Sequence, residues 1–141
     1  MSMQPDAVMR AWFDEVWCQG QEAAIDRLMA ADAIAHGLPG GDMRGAAGFR
    51  PVFNSFRGAF PDLHVSIEHT VTEGDMVTAH CRVTGTHSGE GLGIKPTGKR
   101  VDFEGMTIVR VADGQIREGW NCFDFLTMYQ QIGVVPAAPG A

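Results

Sequence analysis

Arg100-Val101-Asp102-Phe103-Glu104-Gly105-Met106-Thr107-Ile108-Val109-Arg110-Val111-Ala112-Asp113-Gly114-Gln115-Ile116-Arg117-Glu118-Gly119-Trp120-Asn121-Cys122-Phe123-Asp124 is the stretch on which the fold turns. Asp113-Gly114 is a strong two-residue hairpin signal, because Asp and Gly tolerate the positive φ such turns demand. The spacing predicts a strand from about Arg100 to Val111 and a returning strand from Gln115. Counting back from a regular turn pairs Val109 with Glu118, Thr107 with Trp120, Gly105 with Cys122 and Phe103 with Asp124. Trp120, Cys122 and Asp124 share parity and hence one face. If that face is the apolar interior, Asp124 is a desolvated carboxylate with a raised pKa, suited to proton transfer. Two alternatives stand beside this reading. A bulge would exchange the faces. Asp124 also precedes Phe125-Leu126-Thr127-Met128-Tyr129, a potential short helix that an Asp would cap.

Period two extends upstream. Leu63, Val65, Ile67, His69 and Val71 alternate with polar residues, as do Val77, Ala79, Cys81 and Val83 beyond the turn at Glu73-Gly74-Asp75. This gives four strands in meander. The N-terminal half instead repeats at three and four. Met9, Trp12, Phe13, Val16 and Trp17 form one face of a helix from about Pro5 to Gln19, and a second helix covers about Gln21 to Ala31. Phe49, Val52, Phe53, Phe56 and Phe60 stripe a third, from about Ala46 to Ala59. Pro51 removes a hydrogen bond there, so the regular helix is expected to start near Arg50. His36 to Asp42 reads as loop. The order predicts an α+β fold: a curved antiparallel sheet packed on three N-terminal helices. Residues 1–135 form one expected domain and 136–141 a flexible tail.

Composition narrows the function. The formal charge of −6 and the lack of a basic stripe argue against nucleic acid. No stretch reaches the length of a membrane span, and no secretory signal is evident. Cys18, Cys81 and Cys122 are odd in number and set in apolar patterns, the expected usage of reduced, buried thiols in a cytoplasmic protein. No metal-binding spacing, nucleophile elbow, dinucleotide fingerprint or phosphate loop occurs, so no cofactor is implied. His36 is either a loop imidazole or a polar group at a pocket mouth. His80 shares parity with Arg82 and belongs on the outer face. His87 lies in a loop.

Six phrases in order resemble one family: Ala-Asp-Ala-Ile-Ala-His at 31–36, Phe60-Pro61-Asp62-Leu63, Gly85-Thr86-His87-Ser88-Gly89, Gly93 through Lys99, Val111 through Ile116, and Trp120 through Gly133. Together they resemble the SnoaL-like polyketide cyclases, or ester cyclases, of the nuclear-transport-factor-2-like superfamily, over about residues 6–135. The resemblance implies a cone-shaped barrel with an internal apolar pocket, one or two further strands, a homodimer formed through the outer sheet face with Arg82 and His80, and cofactor-free aldol-type ring closure. It implies an acid/base Asp near the end of the last strand. Asp124 matches best, and a shift of three residues would place Asn121 there. Asp124 and His36 are then the candidate catalytic residues. Trp120, Thr107, Glu104, Phe103, Trp17 and Phe60 are candidate contacts to an apolar, carbonyl-containing small molecule. Characterised cyclases also carry a His on the penultimate strand, and this chain has none between Val101 and Val109. Thr107 could donate a hydrogen bond there and Glu104 could supply a second acid. The readings kept beside cyclisation are an isomerase, hydrolase or dehydratase on the same fold, and a non-catalytic small-molecule binder.

Overall fold

The computed structural model describes residues 3–136, so the tail expected from 136 on lies, past that residue, outside the described residues. Helix α1 (Pro5–Ala11) starts with Pro at its first turn and Asp6 beside it, both suited to a helix N-terminus. It continues into a π-helical segment, Trp12–Cys18, in which the Gln19 N–H reaches back five residues to the Asp14 carbonyl at 2.8 Å. The helix expected over 21–31 is shorter: α2 covers Glu22–Leu28, and strand β1 (Met29–His36) starts at once. A two-residue strand β2 (Met43–Arg44) leads into α3 (Gly45–Ala59). The helix α3 is regular from Gly45, contrary to the start expected near Arg50. Pro51 and Ala47, four residues before it, both face solvent, where water can satisfy the carbonyl that Pro leaves unpaired.

Strands β3 (His64–Glu73), β4 (Met76–Thr86), β5 (Arg100–Ala112) and β6 (Gln115–Phe123) then form the predicted meander, and α4 (Phe125–Gln131) follows. The sheet has the order β2-β1-β6-β5-β4-β3. It is curved and unclosed, an open cone and not a sealed barrel, with β2 and β3 as its edges. The two strands missing from the four-strand count are β1 and β2; β1 pairs parallel with β6.

The concave face carries the core. Val77, Ala79, Cys81 and Val83 of β4 alternate inward with Val101, Phe103, Thr107, Val109 and Val111 of β5. The helices lay Met9, Val16, Ile25, Leu28, Phe49 and Phe53 onto them. Burying each such side chain contributes roughly 1.5–3 kcal/mol relative to exposure.

Two bulges set which residues face in. On β6, Val111 pairs with Ile116 but Arg110 pairs with Glu118, so Arg117 is the extra residue. Every later partner moves by one relative to the regular count: Val109 faces Gly119, Thr107 faces Asn121 and Gly105 faces Phe123. The Phe123 ring lies over Gly105, where a Cβ would come within 2.1 Å of it. On β3, Ile67 pairs with Cys81 and His69 with His80, which leaves Glu68 extra. His69 and Val71 therefore point outward, against the alternation predicted for them, and Val71 is 69% exposed.

Candidate functional site

An apolar cavity opens between the concave face of the sheet and the helices. About 90 Å³ of it is open to the centre of a water-sized sphere, where roughly 10–15 Å³ suffices to hold one water. Trp12, Phe13 and Trp17 reach it from the π-helical segment, Phe49, Val52 and Phe56 from α3, and Phe123 and Phe125 from the last strand and helix. The wide π turn helps to put Trp12, Phe13 and Trp17 on one side, and Trp17 packs edge-on against Phe49 at 5.7 Å.

Among the described residues that line this wall, Thr107 carries a hydroxyl and Asn121 an amide, beside the indoles of Trp12 and Trp17. Thr107 and Asn121 are register partners on β5 and β6, and the bulge at Arg117 is what turns them inward together. The Asn121 Nδ2 group donates to the His36 carbonyl at 2.9 Å. That carbonyl can only accept, so the amide orientation is fixed and Oδ1 turns to Thr107. The Thr107 hydroxyl donates to it at 3.0 Å. Among the described residues that line the cavity, none is ionisable.

Asp124 lies elsewhere. Its face of β6 is the outer one, shared with exposed Trp120 and Cys122, so the parity argument holds but the face is wet. Asp124 caps α4: its carboxylate accepts from the Thr127 N–H at 3.0 Å and the Thr127 hydroxyl at 2.6 Å. These bonds hold its pKa below the usual carboxylate value, with the Thr127 hydroxyl the larger cause, against the increase expected from burial.

His36 ends β1 and also faces outward. Its Nε2 meets Glu118 at 2.7 Å and its Nδ1 meets Asp42 at 3.0 Å. Both nitrogens lie against carboxylates, which favour the protonated ring, and its pKa is raised, chiefly by the Glu118 hydrogen bond. Its ring stacks on Trp120 at 5.7 Å. What His36 gives the cavity is its backbone carbonyl, through Asn121.

Of the candidate contacts, Thr107, Phe103 and Trp17 line the cavity. Trp120 does not, being 39% exposed on the outer face. Glu104 is exposed there too, against His80 Nε2 at 3.1 Å. Phe60 is fully buried but packs on His87 at 5.5 Å, away from the cavity wall. His87 is itself buried, with Nδ1 3.0 Å from the Thr97 hydroxyl. The cysteines are free thiols, but Cys122 is exposed, contrary to the expected burial. Sequence reasoning raised Asn121 only as a register alternative. The signal that identifies it is the strand count once Arg117 is taken as a bulge.

Among the described residues, an open α+β cone holds an apolar, aromatic-rich cavity with the Thr107–Asn121 hydrogen bond on its wall. A profile of the SnoaL-like polyketide cyclase family matches residues 7–132. The chain therefore belongs to that family, as the sequence phrases suggested. It is 29% identical over 93 residues to the aklanonic acid methyl ester cyclase of Streptomyces peucetius, an alignment covering 65% of this chain and 64% of that relative's length. Among solved structures, one from Jannaschia sp. CCS1, assigned as a SnoaL-like polyketide cyclase, superposes with a TM-score of 0.84 at 27% identity over 94% of both chains. IdmH of Streptomyces antibioticus, assigned as a polyketide cyclase, gives 0.79 at 32% identity over 94% of this chain and 100% of its own. No described helix is long and apolar enough to cross a membrane.

Proposed function

We propose that the cavity takes up an apolar small molecule bearing a carbonyl group and that the chain promotes its ring closure, or a related rearrangement, without a cofactor. The observation that carries this reading is the Thr107–Asn121 pair set alone in an apolar wall of a cyclase-family fold. Asn121 has a second N–H to offer an oxygen of the substrate. Against an apolar wall, such a bond polarises a carbonyl more strongly than it would in bulk water. The aromatic wall supplies the rest by holding a flexible chain folded, with its reacting ends together. Proton transfer falls to substrate and solvent, because Asp124 and His36 are engaged outside the cavity.

Trp12 and Trp17 line the cavity, so their fluorescence reports binding. Asn121→Leu is expected to weaken an aryl ketone about tenfold, the order of one buried hydrogen bond, and to spare the hydrocarbon of the same shape. Equal losses for both would show that Asn121 does not hold the oxygen.

A carrier that binds the same class without converting it is the second reading. The absence of an ionisable side chain among the described residues of the wall favours it. A polyketide ester that binds and is recovered unchanged over many equivalents would decide for the carrier.

We also propose a homodimer through the outer sheet face. Val71, Ile108 and Trp120 lie exposed on one cross-strand line, with Thr78 of β4 between the first two and Met106 beside Ile108. His80 and Arg82 lie on the same face, the latter 2.8 Å from Asp102. Light scattering should give twice the chain mass, and Ile108→Asp should give the single mass. A monomeric wild type would rule the interface out. The free thiols suit a reducing, cytoplasmic setting.

A further inference from the structure

We infer that the polar end of the cavity selects a hydroxyl over a bare carbonyl, so that a carbonyl compound is held as its enol. This rests on the cavity being a small-molecule site, and it specifies the oxygen that site recognises.

The argument is one of proton accounting. The Asn121 Oδ1 carries no hydrogen, so the bond between it and Thr107 uses the hydroxyl proton of Thr107. Toward any further partner Thr107 can only accept. Asn121 spends one N–H on the His36 carbonyl and keeps the other. The pair thus offers a ligand one donor and one acceptor on neighbouring strands. A ketone or ester oxygen accepts from Asn121 and leaves the Thr107 lone pairs without a donor. A hydroxyl accepts from Asn121 and donates its own proton to Thr107. Thr107 is 3% exposed, so little water is at hand to substitute for that partner.

A ketone acquires such a hydroxyl by enolising: a proton leaves the α-carbon for solvent, one from solvent joins the oxygen, and the composition is unchanged. Binding the enol better than the ketone raises the bound enol fraction by the ratio of the two affinities. The enol α-carbon is the nucleophile when a carbon–carbon bond closes a ring. A neutral pair could thereby prepare a substrate with no carboxylate on the wall.

Three bicyclic probes of one skeleton test this by calorimetric titration. 2-Naphthol is a locked enol, 2-tetralone its keto counterpart, and 2-methoxynaphthalene an ether lacking the proton. The wild type should bind 2-naphthol about tenfold more tightly than the other two. Thr107→Val should erase that preference and Thr107→Ser should retain it. Equal affinities in the wild type, or a preference that survives Thr107→Val, would overturn the inference while leaving small-molecule uptake standing. Failure of all three to bind would overturn both.

Discussion

Replacing Asp124 separates a structural role from a chemical one. The residue holds the first turn of α4 through two bonds to Thr127, at 3.0 Å and 2.6 Å. Alanine removes both, and losing an N-cap of this kind costs about 1 kcal/mol, within a range of roughly 0.5–2. The loss should be felt globally, because α4 seats Met128, fully buried, and sends Phe125 to the cavity wall. For a domain of this size the melting temperature should drop by about 2–6 °C. Asparagine caps nearly as well and should stay within about 0.5 kcal/mol of wild type at neutral pH. The pH dependence has a definite sign. The folded pKa of Asp124 is depressed, so its contribution is complete above the unfolded value near 4 and disappears as pH falls through the folded value. Asp124→Asn should therefore gain on wild type below about pH 4. Circular-dichroism melts at neutral and acid pH read both effects, and tryptophan fluorescence reads ligand binding alongside. If Asp124→Asn kept its stability but lost turnover or binding, Asp124 would be acting chemically as well as capping α4, and a purely structural role would be wrong.

Deleting Arg117 should leave a folded protein whose ligand affinity stays within about threefold, because removing the extra residue makes the pairs on either side of the bulge continuous without changing any partner. If the regular count were right, the deletion would turn the inward set Trp120 and Asp124 outward and abolish binding. His36 should titrate above its ordinary value of about 6.5 by NMR, and Glu118→Gln should bring it down. Its stabilising contribution is present below that value and disappears as pH rises through the raised one, so the melts of wild type and Glu118→Gln should converge in alkali. A His36 titration that ignores Glu118→Gln would contradict the ion pair. Gly37→Ala should be severely destabilising, since Gly37 has φ +82° and a Cβ there would lie 2.0 Å from the Asn121 carbonyl oxygen. A melt within a degree of wild type would mean that β1 and β6 are not so closely apposed.

The helices with strong stripes and the Asp113-Gly114 hairpin were legible because periodicity is local. Strand β1 was not. Met29-Ala30-Ala31-Asp32-Ala33-Ile34-Ala35-His36 is rich in alanine, the best helix former, and its strand state comes from pairing with β6 more than eighty residues away. The bulges at Glu68 and Arg117 have no Gly or Pro to announce them, and each reverses the faces downstream. That one-residue error at Arg117 is the whole difference between an inward-facing Asp124 and an inward-facing Asn121. The aromatic wall was more robust to such slips, because helical stripes tolerate an error of one position that strand parity does not.

The Asn121–His36 hydrogen bond also bears on the order of folding. The meander from β3 to β6 closes through contacts of short sequence separation, whereas the link between β1 and β6 spans eighty-five positions. Loop-closure entropy and contact order place such a junction late on the route to the native state. Until β1 docks, Asn121 lacks the carbonyl that orients its amide, and the sheet is a concave surface without a mouth. The polar end of this cavity is therefore expected to be the last part of the protein to form.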